Sequence, residues 1–329
     1  MTAVAGIDER TARRTVLIEK VTAEANSVLS LTLADPMGTD LPAWSPGAHI
    51  DLILPSGLIR QYSLCGPPGD RGRYRVAVLR VDTGRGGSVE VHETVLEGKT
   101  IDIRGPRNNF PLRPAPAYVF LAGGIGITPI LPMIRETAAS GTPWTLYYGG
   151  RTLEHMAFRD ELALLDEGNV HILPQDVDGI IDLAEIAAAG PDGAQYYCCG
   201  PESMIAAAEE ACSASNPPCE LHVERFGAQQ TATISQTSPD NGEFEVELTQ
   251  SGTVLTVPPE RTLLDVVREA RPDVPFSCES GYCGTCETRV LAGEPEHRDD
   301  YLEEEERAAC NTMMICVSRS RSPRIVLDL

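Results

Sequence analysis

The 329-residue sequence is short of aromatic side chains, of positive charge and of long apolar runs. Aromatics make up 5%, too few for the rows of stacked rings on which single-stranded nucleic acids are held. Lys and Arg number 27 against 48 Asp and Glu, a net charge of −21. Neutralising a phosphate backbone needs clustered bases, so nucleic acid is excluded as an expected partner. The longest apolar run, residues 118–134, is broken by Gly123, Gly124, Gly126, Pro129 and Pro132. A membrane span needs about 20 unbroken apolar residues, and residues 1–20 hold no apolar core of the signal-peptide kind. A soluble, cytoplasmic protein with no membrane partner is expected. The histidines at 49, 92, 155, 171, 222 and 297 show no metal-ligand spacing.

What is present points to a folded, multi-domain chain. Hydrophobic residues reach 42% and charged ones 23%, close to globular averages. The length suggests about two domains, with three possible. Ten cysteines in a reducing compartment are more often metal ligands or reactive groups than disulfides. Short β-rich stretches at 15–21, 28–33, 49–54, 60–64, 73–80 and 100–104, separated by Gly and Pro turns, predict a barrel or sandwich. From about 117 the pattern changes. Apolar runs at 118–122, 145–148, 170–173, 195–199 and 221–223 alternate with helical stretches near 130–139, 157–165, 183–188 and 202–212. That alternation predicts a mostly parallel sheet. Residues 228–242 are polar and aperiodic and read as a linker. A last unit, 243–329, opens with two alternating strands and a short helix, 263–270, and carries a strand-like run at 313–317. The predicted domains are 1–113, 114–227 and 243–329.

The most specific motif lies in that last unit. Cys278, Cys283 and Cys286 follow a C-x4-C-x2-C spacing, with Cys316 further on. Four thiolates at this spacing suit a plant-type [2Fe–2S] cluster. Gly281 and Gly284 let the backbone wrap around such a core. A four-cysteine zinc site is the competing reading, but zinc ribbons pair two C-x2-C hairpins and only one is present. Cys310 competes with Cys316 as fourth ligand. Cys316 is preferred because it is expected on an apolar strand, a rigid mount, whereas Cys310 lies in a polar, helix-like stretch.

Two further motifs suit organic cofactors. In Arg60-Gln61-Tyr62-Ser63, Arg60 can bind a phosphate, Tyr62 offers an aromatic face, and Ser63 can hydrogen-bond a flavin ring near N5. An ordinary strand is the bland alternative. Gly86-Gly87-Ser88 precedes a helix-like stretch at 89–96 and would turn backbone N–H groups towards an anion; a flexible turn is the alternative. Gly123, Gly124, Gly126 and Thr128 follow a buried strand and open a helix, as a pyrophosphate-binding turn does, though the third glycine of the usual fingerprint is Pro129. Cys199-Gly200-Pro201 with Met204 lies after a later strand, beside Cys198.

With these motifs in hand, the chain resembles the phthalate dioxygenase reductase and vanillate O-demethylase reductase family over nearly all of residues 12–329. The resemblance implies an antiparallel flavin-binding β-barrel, an α/β nicotinamide-binding domain with a parallel sheet, and a C-terminal α+β plant-type ferredoxin domain of the β-grasp type. It implies FMN contacts at Arg60, Tyr62, Ser63, Gly87 and Ser88. Gln61 and Gly86 lie beside them, and Val78, Leu79 and Arg80 match more loosely. FMN rather than FAD follows from the ferredoxin's place at the C-terminus. Cys199, not Cys198, is then the thiol beside the nicotinamide, and Phe226 covers the flavin face. The resemblance makes Ser63, Thr128, Cys199 and Phe226 the catalytic set. NADH is preferred over NADPH: Asp176 or Asp178 could bond a ribose hydroxyl, although Arg151 could bind a phosphate.

The expected activity is that of a flavin/iron–sulfur reductase that passes electrons from NADH to a separate terminal protein. By resemblance that protein is a Rieske-type aromatic oxygenase or O-demethylase. A cytochrome P450 partner and a stand-alone NAD(P)H oxidoreductase are the alternatives. Residues 243–329 hold 18 acids and 9 bases, an acidic surface suited to steering a basic redox partner towards the ferredoxin domain. The protein is expected to be monomeric.

Overall fold

The computed structural model describes residues 13–84, 86–165, 169–226, 242–276, 279, 281, 284–299, 301–302 and 304–329. The chain forms two compact units, residues 1–226 and 227–329. The predicted linker at 228–242 lies outside the described residues except for Gly242.

The first unit contains two sheets. Strands β1 (Arg14–Ala25), β2 (Val28–Ala34), β3 (Ala48–Ile53), β4 (Ile59–Ser63), β5 (Arg73–Leu79) and β6 (Thr100–Asn108) pair in the order β4-β3-β6-β1-β2-β5. Every pairing is antiparallel. The two edges meet where Leu64 bridges Val76 and the Cys65 N–H donates to the Arg75 carbonyl at 2.8 Å. The sheet therefore closes on itself, which removes the exposed edges of an open sheet. The period-2 pattern puts Leu31, Leu33, Ile50, Leu52, Val76, Val78 and Ile103 into one buried core. Burying each such side chain is worth about 1.5–3 kcal/mol.

Strands β7 (Tyr118–Gly123), β8 (Trp144–Gly150), β9 (Val170–Pro174), β10 (Gln195–Cys199) and β11 (Glu220–Glu224) form a wholly parallel sheet in the order β11-β10-β7-β8-β9. From β7 the chain builds outward to β8 and β9, then returns to place β10 on the other side of β7. Crevices at such a reversal are where open parallel sheets bind ligands. Hydroxyls of two buried tyrosines hold the segment between the sheets: Tyr197 accepts from the Arg113 N–H at 2.7 Å, and Tyr118 donates to the Arg113 carbonyl at 2.8 Å.

The second unit carries β12 (Phe244–Leu248), β13 (Thr253–Val257), β14 (Glu287–Ala292), β15 (Pro295–Glu296), β16 (Thr312–Met314), β17 (Arg319–Ser320) and β18 (Arg324–Leu327). Five of these form a mixed sheet in the order β13-β12-β18-β14-β16. The helix at Leu263–Ala270 packs Leu263, Leu264, Val266 and Val267 into its core. It starts at Thr262, whose side chain and that of Asp265 cap each other's backbone N–H, a reciprocal box that fixes a helix start. No helix among the described residues is long and apolar enough to cross a membrane.

Candidate flavin, nicotinamide and iron–sulfur sites

The barrel strand β4 and helix α1 (Gly87–Thr94) make an anion cradle. Gly86, before the helix, adopts φ 77°, and no side chain caps the helix start. The Arg60 side chain lies across Gly87: a Cβ there would stand 2.5 Å from Arg60 Nε, so any larger residue would displace the arginine. A guanidinium is thus held beside the positive end of a helix, an arrangement that favours a phosphate. Ser88 Oγ accepts from the Val81 N–H at 3.0 Å. Arg80 is committed elsewhere, pairing with Asp82 at 2.7 Å and Glu93 at 2.9 Å. Val78 is buried and Leu79 half-buried. Tyr62 is half-buried, and burial pushes its phenol up to about 12. The Gln61 amide nitrogen stands 3.3 Å from His49 Nε2. Burial, with Arg107 adding to it, holds the His49 imidazole down to about 3, so the ring is neutral.

The ends of β7 and β10 form the second site. The turn Gly124–Gly126 leads from β7 into helix α2 (Ile127–Ser140). It lies against β10 so closely that a Cβ at Gly126 would be 2.1 Å from the Cys199 carbonyl oxygen. Gly123 likewise faces Gly200 and Pro201. Thr128 is buried and donates its hydroxyl to the Ile125 carbonyl at 2.9 Å. Cys198 and Cys199 are both fully buried, on opposite faces of β10: Cys199 in the core shared with α2, Cys198 in the core beside Cys212. Burial pushes the Cys199 thiol well up, and the nearby Glu224 carboxylate adds to this, so the sulfur stays protonated. Phe226 follows β11 and is exposed.

Glu224 is the residue that the sequence reading missed. Ser63 Oγ donates to Glu224 Oε2 at 3.3 Å, across 161 positions of chain. Burial raises the Glu224 carboxyl to about 8, opposed by the Ser63 hydrogen bond. The group is therefore mostly protonated at neutral pH, beside a hydroxyl and a thiol. No local pattern marks it, because the contact exists only once barrel and parallel sheet are packed. The folded value lies above the ordinary 4.5, so the neutral carboxyl stabilises the fold at acid pH, and that contribution is lost as pH rises through about 8. Glu224→Gln is expected to flatten the decline in thermal midpoint between pH 5 and 8, measured on flavin-free protein. Parallel profiles for variant and wild type would show that Glu224 does not titrate in this range.

In the second unit Cys278 and Cys283 lie outside the described residues. Cys286 and Cys316 are both buried, 3% exposed, in one core. The expectation of a strand under Cys316 is corrected. β16 ends at Met314, and Cys316 sits in the turn that follows. That turn is tight: the N–H groups of Val317 and Ser318 both donate to the Met314 carbonyl, at 3.2 and 2.9 Å. The Ile315 carbonyl accepts from the Leu264 N–H at 2.9 Å. The run 313–317 is buried throughout, and a continuously apolar run does not distinguish strand from buried turn by period. Cys310 is half-buried, follows the helix Glu304–Ala309 with φ 51°, and directs its Sγ to the Arg307 carbonyl at 3.3 Å. Gly281, at φ 82°, packs where a Cβ would meet Val317 Cγ2 at 2.8 Å, against the turn bearing Cys316. Two buried thiols in one core, with Gly281 packed against the turn that bears one of them, suit a sulfur-ligated cluster.

The comparisons with known proteins agree with this geometry. Residues 246–321 match the 2Fe-2S iron-sulfur cluster binding domain family, and residues 120–210 match the oxidoreductase NAD-binding domain family. The chain is 43% identical over 307 residues to the phenoxybenzoate dioxygenase subunit beta of Ectopseudomonas oleovorans, covering 93% of this chain and 94% of that protein. The solved structure of phthalate dioxygenase reductase, described as a modular structure for electron transfer from pyridine nucleotides to [2Fe-2S], matches with TM-score 0.71 and 37% identity, covering 96% of this chain and 98% of that one. A self-sufficient cytochrome P450 monooxygenase matches with TM-score 0.82 and 41% identity; there the alignment covers 96% of this chain but 41% of the longer one. Barrel, parallel sheet and iron–sulfur domain together define an NAD(P)H-dependent flavin and iron–sulfur oxidoreductase. The chain belongs to the phthalate dioxygenase reductase and vanillate O-demethylase reductase family.

Proposed function

We propose that this chain is the reductase component of an oxygenase system, with residues 1–113, 114–227 and 243–329 as its flavin, nicotinamide and ferredoxin domains. The observation that carries the reading is the cradle at Arg60 and Gly87 together with Ser63, Glu224 and Cys199 gathered where β4, β10 and β11 end. Arg60, Gly86 and Gly87 would hold the FMN phosphate, with Gln61, Tyr62, Ser63, Val78, Leu79, Arg80 and Ser88 around the rest. Cys278, Cys283, Cys286 and Cys316 would hold the [2Fe–2S] cluster. Held by these residues, FMN would supply two-electron acceptance from NADH with one-electron release, and the cluster would supply one-electron carriage. The chain's own part is orientation. Gly123, Gly124, Gly126, Thr128, Gly200 and Pro201 bind and align the nicotinamide nucleotide. Cys199 offers a neutral thiol, Ser63 a hydroxyl and Glu224 an exchangeable proton. Phe226 covers the flavin face. Asp176, whose N–H donates to the Arg151 carbonyl at 3.3 Å, and Asp178 are the candidates to bond a ribose hydroxyl and repel a 2′-phosphate, which favours NADH.

The terminal partner in this reading is a Rieske-type aromatic oxygenase or O-demethylase, served by a cytoplasmic monomer. The docking face is the acidic side of the ferredoxin unit. Glu304 and Glu305 are exposed on the short helix there, whereas Asp299 is turned inward, accepting from the Leu302 N–H and Ser318 Oγ. Electron delivery is expected to slow several-fold between low salt and about 0.5 M salt, as screening shortens the reach of these charges; a flat profile would remove the acidic face from docking. The whole reading is tested by the absorption spectrum and metal content of anaerobically purified protein. Flavin and iron–sulfur bands, both bleached by NADH, support it. A colourless protein, or one with no iron and acid-labile sulfide, refutes it. The cytochrome P450 alternative is favoured by structures such as the self-sufficient cytochrome P450 monooxygenase, and side-by-side turnover of both oxygenase types decides between them.

A further inference from the structure

A charge network joins the two lobes of the first unit, and neither cofactor motif accounts for it. The Cys65 carbonyl, two residues beyond Ser63, accepts from Arg75 at 3.0 Å and from Arg135 at 2.8 Å. Arg75 lies on β5 across the barrel seam, and Arg135 lies on α2, the helix that Gly126 and Thr128 open. Glu161, on the helix Arg159–Ala163, accepts from Arg75 with both oxygens, at 3.1 and 2.8 Å, and pairs with Arg135 as well. The Phe158 ring lies 4.8 Å from the Arg75 guanidinium carbon. One carboxylate thus bridges two neighbouring guanidinium groups and offsets half of their charge. Burial, with the proximity of Arg75 adding to it, presses Arg135 down to about 10.

We propose that Glu161, Arg135 and Arg75 are positioning residues that fix the flavin strand against the nicotinamide helix and so set the rate of hydride transfer. The proposal rests on the reductase reading given above. Its physical basis is the steep dependence of transfer on approach: reacting atoms must come within about 3–3.5 Å, and a displacement of about 1 Å costs on the order of 100-fold. The Cys65 carbonyl moves with the strand that carries Ser63, and Arg135 moves with the helix that begins at the nucleotide turn. Without Glu161, two unneutralised guanidiniums share one carbonyl, and their repulsion separates the two elements.

The test follows flavin reduction by NADH in the holoenzyme by stopped flow, for wild type, Glu161→Gln and the double variant Glu161→Gln/Arg135→Met. Glu161→Gln is expected to slow reduction roughly 10- to 100-fold, with FMN content and the KM for NADH within about twofold of wild type. The double variant, which removes one of the two opposed cations, is expected to recover most of that loss. A second readout needs no cofactor: hydrogen exchange at the Cys65 amide and along α2 in flavin-free protein rises in Glu161→Gln and falls back in the double variant. Unchanged rate and exchange in Glu161→Gln overturn the proposal, and so does a raised KM at unchanged rate, which would assign the network to binding. If Glu161→Gln does not fold, Arg135→Lys replaces it. A lysine cannot bridge Glu161 and the Cys65 carbonyl as a planar fork does, so a several-fold slowing supports the proposal and a wild-type rate overturns it. Wild-type protein that NADH fails to reduce would instead sink the reductase reading itself.

Discussion

Replacing Cys316 with alanine is expected to cut NADH-dependent cytochrome c reduction on the order of 100-fold or more, whereas Cys310→Ala leaves it within about twofold. Outer partners of a metal site already change affinity 10- to 100-fold, and loss of a ligand costs more. The contrast follows from burial: Cys316 shares a core with Cys286, and Cys310 stands outside that core with its thiol directed to the Arg307 carbonyl. In the Cys316 variant NADH is still expected to bleach the flavin, since none of the residues assigned to that step lies in the second unit. Visible spectra, iron content and the two activities are measured on the same preparations. Equal loss in both variants, or in neither, removes Cys316 as the fourth ligand.

The second large effect concerns flavin retention. Arg60→Ala removes the guanidinium held over the start of α1, and Gly87→Val forces it away, because the new Cβ would stand 2.5 Å from Arg60 Nε. A hydrogen bond to a charged group is worth about 1.5–3 kcal/mol, so either change is expected to weaken FMN binding about 10- to 100-fold. Gly86→Ala is a milder control, since nothing lies within 4 Å of its Cβ, although its φ of 77° adds strain. Flavin fluorescence released on dilution reports the affinity. Wild-type retention in Arg60→Ala would place the phosphate elsewhere.

Much of this architecture was legible in the residues because each sheet obeys a simple period. The barrel strands alternate, and the parallel strands are short apolar runs separated by helices. Four of the six barrel-strand expectations fall within two residues of the observed bounds at both ends. Strands β1 and β6 run four residues further, because pairing with β2 and β3 extends them. The turn at Cys316 was not legible, since burial on every side erases periodicity. Nor were the contacts that cross between sheets. Ser63 and Glu224, or Cys65 and Arg135, are distant in sequence and carry no shared pattern. Motifs made of neighbours, such as Arg60 to Ser63 or the C-x4-C-x2-C loop, can be read from a string of letters; partnerships made by packing cannot.

The in-register seating of β10 between β7 and β11, with Cys199 opposite both Ala122 and Glu224, has an evolutionary corollary. Strand ladders change face with every single-residue slip. One deletion within 195–198 would turn the place of the Cys199 sulfur over to the far side of the sheet, beside Cys212. Lineages of this protein should therefore tolerate substitutions along that strand far more readily than changes in its length.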